Sequence, residues 1–136
     1  GSMEKNKVIL DTSAYSALLR GNPSVMRAVQ EADEVTFTPV VLGELYAGFL
    51  LGKQEKRNRE VLSEFVATPR VKMREIDGET AERYAAIFAY LREKGTPIPT
   101  NDLWIAASAM QHGLKIITTD VHYLKIPQVI AICCSV

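Results

Sequence analysis

The sequence contains no long apolar run and no excess of charge of either sign. Its uninterrupted apolar runs are only a few residues long, whereas a helix that spans a membrane needs about 20 residues. Lys and Arg together number 16, and Asp and Glu also number 16, so the formal net charge is zero. We therefore expect no transmembrane segment and no capture of nucleic acid by bulk positive charge. A local basic rim or a bound cation remains compatible with this balance.

Cysteine is scarce, and its placement excludes a disulfide framework. The two cysteines, Cys133 and Cys134, are neighbours in the chain, which constrains them too tightly for an ordinary structural disulfide. They lie in the apolar ending 129–134, so we expect both thiols to be buried, as is usual in a reducing cytoplasm. The start of the chain shows no apolar stretch typical of a signal peptide, which also favours a cytoplasmic protein.

The length and composition are those of one ordinary globular domain. The chain has 136 residues, of which 47% are hydrophobic and 24% are charged. Repeats, low-complexity tracts and linkers are not visible. We expect residues 3–136 to form a single domain and interpret Gly1 and Ser2, which precede Met3, as a cloning scar.

Short apolar segments alternate with helical patterns along the whole chain. The segments that we predict as strands are 8–10, 35–38, 71–76, 115–118 and 129–133. The segments that we predict as helices are 14–20, 24–32, 39–51, 53–67, 78–94 and 101–112, the last capped by Thr100 or Asn101. This alternation is typical of an α/β fold in which a parallel sheet is covered by helices on both faces.

Acidic residues follow two of the predicted strands. Asp11 comes directly after the first strand, Asp120 follows the fourth, and Asp102 lies in the first turn of a helix entered from the same edge. Ligands of parallel sheets bind beyond the carboxyl ends of the strands, so we expect the three carboxylates to converge there. Each also has an ordinary structural explanation: a helix cap for Asp11, a favourable helix dipole for Asp102 and a turn for Asp120.

Glu44 is a fourth candidate, because it is a charged residue within the apolar helical stretch 39–48. Such a residue needs a partner, a metal or solvent access, and a solvent-facing side chain is the alternative. Carboxylates brought within about 4–6 Å repel by roughly 4 kcal/mol per close pair, so the cluster must take up protons or a cation. Carboxylate ligands favour Mg²⁺ or Mn²⁺, which are suited to phosphoryl chemistry.

Several other catalytic motifs are absent. The stretch 48–53 has one residue too few between its glycines for a P-loop, and no Gly-x-Ser-x-Gly nucleophile elbow occurs. Ser13 stands where a haloacid-dehalogenase-type phosphatase needs a second Asp. His112 and His122 have no motif partner and no zinc-ligand spacing, so we interpret both as surface or structural residues.

Four short segments, taken together and in order, resemble PIN-domain ribonucleases and specifically the VapC toxins of type II toxin–antitoxin pairs. These segments are Leu10-Asp11-Thr12-Ser13, Gly43-Glu44-Leu45, Asn101–Ala107 and Thr118-Thr119-Asp120. Asn101–Ala107 is the most specific of them. The resemblance extends from Val8 to about Ile132, nearly the whole chain.

The resemblance implies a PIN-like three-layer sandwich with a central five-stranded parallel sheet, and one or two Mg²⁺ or Mn²⁺ ions in an acidic pocket. It implies endonucleolytic cleavage of single-stranded or loop RNA by a metal-activated water. Asp11 and Asp102 match direct metal ligands, Asp120 matches the third acid, and Glu44 matches the acid that holds the metal or its water. The residues that match outer hydrogen-bond partners of the ligands are Thr12, Asn101 and Thr118. A homodimer and a cognate VapB-type antitoxin are also implied.

Two other functions remain compatible with the residues: a housekeeping PIN nuclease in RNA maturation, and a silent PIN domain that binds RNA or a protein. The basic stretch Lys53–Arg59 is either an RNA contact or, as we favour, a solvated helix face. Tyr46, Phe49 and Leu50 are expected either to line a groove for a partner or to pack in the core.

Overall fold

A five-stranded parallel sheet lies at the centre of the fold. The structure, a computed structural model, describes residues 4–135. The strands are β1 (Lys7–Leu10), β2 (Glu34–Phe37), β3 (Val71–Met73), β4 (Lys115–Thr118) and β5 (Ala131–Cys133). Their order across the sheet is β3-β2-β1-β4-β5, and every neighbouring pair is parallel. The predicted α/β fold with a five-stranded parallel sheet is therefore confirmed.

Six α-helices flank the sheet, and one short 3-10 helix, Val121–Lys125, follows β4. The α-helices are α1 (Thr12–Leu19), α2 (Pro23–Glu31), α3 (Pro39–Leu51), α4 (Glu55–Val66), α5 (Gly78–Lys94) and α6 (Thr100–His112). Within residues 4–135, no helix combines the length and the apolarity that crossing a membrane requires.

The central position of β1 explains its sequence. Val8, Ile9 and Leu10 are fully buried because β1 is paired on both sides and covered on both faces, which requires a continuous apolar run. The sheet order places β2 and β3 on one side of β1 and β4 and β5 on the other, so the order in which strands are added to the sheet switches sides at β1. The carboxyl end of β1 is therefore where this fold class forms its ligand sites.

Local sequence signals set most helix ends. Asp77 caps α5 through a capping box with Thr80, and Gly95 ends the helix in a left-handed conformation with φ of 69°. The prediction that Thr100 or Asn101 caps α6 is wrong. Pro99 occupies the cap position without a side-chain hydrogen bond, and Thr100 is already helical.

Other sequence predictions need correction at the margins of the fold. The third strand ends at Met73 rather than at residue 76, and the loop after β4 contains the 3-10 helix. Cys134 is buried as predicted, but Cys133 is exposed, because β5 is an edge strand that no further strand covers.

Candidate active site

Asp11 occupies the junction between β1 and α1, where it is 4% exposed. Its Oδ1 accepts a hydrogen bond from the Ala14 backbone N–H at 2.8 Å, so the carboxylate does cap α1 as the sequence suggested. Burial raises the pKa of the Asp11 carboxyl; the hydrogen bonds that it accepts lower the pKa in part, and the nearby charge of Asp102 raises it further. The capping role and the site role therefore belong to the same side chain.

Two hydroxyl groups join Asp11 to the end of β4. Thr118 Oγ1 donates to Asp11 Oδ2 at 2.6 Å, and Ser13 Oγ donates to Asp11 Oδ1 at 2.7 Å. The same hydroxyl oxygens accept hydrogen bonds from the backbone N–H groups that follow β4: Ser13 from Thr119 at 3.1 Å and Thr118 from Asp120 at 2.8 Å. Each hydroxyl thus donates a hydrogen bond to the Asp11 carboxylate and accepts one from the backbone of the loop after β4. These contacts hold the Asp120 backbone in place.

Asp102 projects from the first turn of α6 and is held by two neighbours from the 3-10 helix. Its Oδ2 lies 2.9 Å from His122 Nδ1, and its Oδ1 accepts a hydrogen bond from the Tyr123 hydroxyl at 3.2 Å. Burial raises the pKa of the Asp102 carboxyl; the contacts with His122 and Tyr123 lower it, and the charge of Asp120 raises it. The pKa of the Tyr123 phenol is raised by burial and by the surrounding carboxylates, so this hydroxyl keeps its proton and acts as a donor.

Asp120 completes the group that the structure brings together. Its Oδ1 accepts from the His122 backbone N–H at 2.9 Å and also lies 3.1 Å from His122 Nδ1. One potential ligand atom from each of Asp102, Asp120 and His122 lies within 4.8 Å of the others. Two of the four predicted acids therefore share one cluster, and Asp11 lies close enough for its pKa to respond to the charge of Asp102.

Glu44 is placed differently. It is half-buried on α3, and its Oε1 accepts a hydrogen bond from the Thr12 hydroxyl at 2.7 Å. Because Thr12 is the chain neighbour of Asp11, this contact ties Glu44 to the rim of the site. Within residues 4–135, no hydrogen bond or ion pair joins Glu44 directly to the other three acids.

The predicted outer partners of the ligands have mixed outcomes. Thr118 and Thr12 each hold an acid of the site, as described above. Asn101 is exposed, and its side chain forms no hydrogen bond with the described part of the chain, residues 4–135. No role in the site was predicted for Ser13, His122 or Tyr123. Ser13 and His122 each stand two residues after an acid, where local side-chain contacts are common, whereas nothing in the sequence indicated Tyr123.

Within the described residues, no Lys or Arg side chain neutralises the acids of the site. Among residues 4–135, no Lys or Arg forms an ion pair with Asp11, Asp102, Asp120 or Glu44. The ion-paired arginines of this part of the chain lie elsewhere, Arg59 with Glu55 and Arg74 with Glu34. These carboxylates have no Lys or Arg partner within the described residues, and the pKa values of Asp11 and Asp102 are raised. Such a set of oxygen donors fits a divalent cation.

The basic stretch and the apolar residues of α3 lie outside this acidic group. Arg59 pairs with Glu55 at 3.0 Å, and its guanidinium stacks over the Tyr46 ring, 4.4 Å from the ring centre. Both contacts are made on the α3–α4 surface, which agrees with a solvated helix face. Phe49 is 9% exposed and belongs to the core, whereas Leu50 is 63% exposed.

Comparison with known proteins identifies the family. The sequence profile of the PIN domain matches residues 8–128. Ribonuclease VapC4 of Mycobacterium tuberculosis is 36% identical over 129 residues, which cover 93% of this chain and 96% of that protein. The VapBC-5 toxin–antitoxin structure from Mycobacterium tuberculosis contains a chain 27% identical to this one with a TM-score of 0.73, covering 96% of this chain and 99% of that one.

A further solved structure agrees in fold. The VapBC2 structure from Rickettsia felis, bound to a DNA fragment from its promoter, matches with a TM-score of 0.82 at 22% identity over 93% of this chain and 98% of that one. The match to the PIN profile extends from the second residue of β1 to beyond the 3-10 helix, so it includes all four acids. The chain therefore belongs to the PIN domain family, among the VapC ribonucleases.

Proposed function

We propose that this protein is a divalent-metal-dependent endoribonuclease that acts as the toxin of a toxin–antitoxin pair. The observation that carries the proposal is the convergence of Asp102, Asp120 and His122 near the buried Asp11, at the carboxyl edge of the sheet. The similarity to Ribonuclease VapC4 supports RNA as the substrate and phosphodiester hydrolysis as the reaction. We expect single-stranded or loop RNA to be cleaved, because sequence-specific recognition of RNA mostly uses unpaired segments, whose base edges are accessible.

Asp11, Asp102 and Asp120 are the residues that would hold Mg²⁺ or Mn²⁺, as one ion or two, with Glu44 at the rim. The absence of a Lys or Arg partner for these acids within residues 4–135 supports this assignment. A divalent ion at such a site lowers the pKa of a bound water and stabilises the charge on the scissile phosphate and the leaving oxygen.

The other residues of the site orient these ligands. Ser13 and Thr118 direct both oxygens of Asp11, and the Tyr123 hydroxyl fixes one oxygen of Asp102. Such outer hydrogen bonds set the direction and basicity of a ligand. Thr12 holds Glu44 through Oε1, so Glu44 Oε2 is the oxygen that we assign to accept a hydrogen bond from the attacking water.

Two observations favour this function over the alternatives. A silent PIN domain has no use for this group of acids, because the raised pKa values of the buried Asp11 and the half-buried Asp102 each mark a cost to the stability of the fold. The similarity of almost the full chain to Ribonuclease VapC4 favours a toxin over a housekeeping nuclease.

The same comparisons support the partners that we propose. The VapBC-5 structure is of a toxin–antitoxin system, and we infer a cognate VapB-type antitoxin for this chain. We also infer a homodimer and action in the cytoplasm, where RNA and a reducing environment for the exposed Cys133 thiol are both available.

The direct test is cleavage of a structured RNA pool by purified protein in EDTA, Mg²⁺ or Mn²⁺. The variant is Asp102→Asn, and the matched control is Glu82→Gln, which neutralises an exposed acid on α5. We expect metal-dependent cleavage by the wild type and the control, and none by Asp102→Asn. Cleavage that survives EDTA or the Asp102→Asn change would contradict the proposal.

A further inference from the structure

The side chain of His122 lies between two half-buried acids of the site, Asp102 and Asp120. Its Nδ1 lies 2.9 Å from Asp102 Oδ2 and 3.1 Å from Asp120 Oδ1. The side chain is 36% exposed, so its position between two acids does not result from burial in the core. Sequence analysis assigned it no role.

These distances match the spacing of ligand atoms around an ion. In an octahedral site with metal–ligand distances of about 2.1 Å, adjacent ligand atoms lie about 3.0 Å apart. The contacts from Nδ1 to the two carboxylate oxygens are of this length, and the three ligand atoms all lie within 4.8 Å of one another. A single ion therefore has room to contact one atom from each of the three residues.

The backbone holds this arrangement before any ion binds. The His122 backbone N–H donates to Asp120 Oδ1 at 2.9 Å, which fixes the Asp120 carboxylate relative to the backbone of His122. The next residue, Tyr123, is 1% exposed and donates its hydroxyl to Asp102, which fixes the same helical turn relative to α6. His122 is thus held from both sides by residues that themselves contact the acids.

We propose that His122 is a metal ligand through Nδ1, and that this nitrogen makes the site prefer first-row transition ions over Mg²⁺. The inference rests on the proposed function and refines its metal site. Imidazole nitrogen binds transition ions more strongly than Mg²⁺, which is a hard cation that prefers oxygen. Ligation through Nδ1 requires the neutral tautomer that carries its hydrogen on Nε2, so Asp102 and Asp120 then contact the ion instead of an N–H group.

An alternative role for His122 predicts different measurements. If Nδ1 only donates a hydrogen bond to the two carboxylates, His122 orients them for any ion. Its removal would then weaken Mg²⁺ and Mn²⁺ binding by the same factor, and no nitrogen would be coordinated to the metal.

The experiment uses the full chain, freed of metal by dialysis against EDTA and titrated with MnCl₂ or MgCl₂ alone. Electron spin-echo modulation of bound Mn²⁺ detects nitrogen nuclei that are directly coordinated. The chain has two histidines, so His112→Ala is the matched control for His122→Ala. Circular dichroism and thermal melting check that each variant is folded.

We expect ¹⁴N modulation from one imidazole in the wild type and in His112→Ala, and its loss in His122→Ala. We also expect the ratio of Mn²⁺ to Mg²⁺ affinity to fall about tenfold or more in His122→Ala, since the lost imidazole nitrogen contributes to Mn²⁺ binding and little to Mg²⁺ binding. An unchanged ratio, or bound Mn²⁺ without ¹⁴N modulation in the wild type, would overturn the inference.

Asp102→Asn separates this inference from the proposed function. Suppose that Mn²⁺ binds to the wild type without nitrogen coupling, and that Asp102→Asn abolishes both Mn²⁺ binding and RNA cleavage. The proposed nuclease function is then supported, and the proposal that His122 is a metal ligand is wrong. If the wild type binds neither ion and does not cleave RNA, both proposals fall.

Discussion

The Thr118 hydroxyl donates a hydrogen bond to Asp11 Oδ2 over 2.6 Å, although the two residues are 107 positions apart in the chain. The contact exists because β1 and β4 are parallel neighbours, with Leu10 paired to Ile117, so their carboxyl ends meet. It joins the first acid of the site to the end of the strand that precedes the last acid, Asp120. Thr118 is fully buried and Asp11 is only 4% exposed, so the hydrogen bond between them is shielded from solvent.

Replacing Thr118 by Val tests this link. We expect the free energy of unfolding to fall by about 1–3 kcal/mol, because a buried carboxylate oxygen loses its donor. We also expect weaker Mn²⁺ binding, since Asp11 is no longer oriented. Urea denaturation and metal titration measure the two effects. Thr118→Ser keeps the hydroxyl and should retain most of the metal affinity; equal Mn²⁺ affinity in all three proteins would contradict the orienting role.

Two buried tyrosines provide a matched pair of phenylalanine substitutions. The Tyr123 hydroxyl donates to Asp102, whereas the Tyr15 hydroxyl is buried without a hydrogen-bond partner within residues 4–135. We expect Tyr123→Phe to reduce Mn²⁺ affinity and RNA cleavage by about 10–100-fold, because Asp102 loses its outer partner. Tyr15→Phe should leave cleavage unchanged and stability equal or higher, since it removes an unsatisfied polar group.

The outcome of this pair distinguishes a site effect from a packing effect. Both side chains belong to the buried core, and both substitutions remove one oxygen. If Tyr15→Phe lowered cleavage as much as Tyr123→Phe, general loosening of the core would explain the result and the contact with Asp102 would not.

The acids at strand ends were predictable because regular structure decides where they lie. Asp11 follows an apolar run that can only be a central parallel strand, and Asp120 follows a second such run. Parallel pairing then brings their ends together whatever the loops do. The α5 boundaries were also predictable, because Asp77 and Gly95 have strong preferences for helix ends.

The residues that sequence analysis missed depend on irregular backbone. His122 and Tyr123 reach Asp102 because a 3-10 helix follows β4. A helix of five residues is too short to give a periodic pattern from which it could be predicted. The exposure of Cys133 depends on which strand lies at the sheet edge, a property of the whole topology rather than of the apolar segment around it. The contact of Glu44 with Thr12 likewise depends on how two helices pack.

The raised pKa values of Asp11 and Asp102 predict an unusual dependence of stability on pH. Their folded-state pKa values lie above the unfolded value of about 4. At pH values between the unfolded and the folded pKa, the folded protein therefore binds more protons than the unfolded protein. Their contribution is therefore fully favourable below about pH 4 and is lost as the pH rises through the folded pKa values. In EDTA, the melting temperature should fall as the pH rises from about 4 through this window.

Melting curves with and without metal check this prediction. Mn²⁺ should reverse the trend, because it binds the ionised carboxylates and its stabilising effect grows as they lose protons. Asp77 acts in a different window: its hydrogen bonds lower its pKa, so its contribution is lost only as the pH falls below about 4. A melting temperature in EDTA that rises steadily from pH 4 to 7 would contradict the raised pKa values of Asp11 and Asp102. An equal dependence of melting temperature on pH in the wild type and in Asp102→Asn would contradict the contribution of Asp102.

Glu44 is expected to affect cleavage more than metal binding. It lies at the rim, held by Thr12, and no contact within residues 4–135 joins it to the group of Asp102, Asp120 and His122. Glu44→Gln keeps an oxygen for Thr12 to donate to but loses the carboxylate that we assign to the attacking water. We expect cleavage to fall by about 100-fold, the lower range for loss of a general base, with Mn²⁺ affinity changed by less than about threefold.

Thr12→Val supplies the complementary change, because it leaves the Glu44 carboxylate in place but frees it to rotate. If Glu44 acts on water from a fixed position, Thr12→Val should lower cleavage by a smaller factor than Glu44→Gln and leave Mn²⁺ affinity unaltered. If instead Glu44→Gln lowers Mn²⁺ affinity as strongly as Asp102→Asn, then Glu44 is a direct ligand. Isothermal titration with MnCl₂ beside single-turnover cleavage decides between the two.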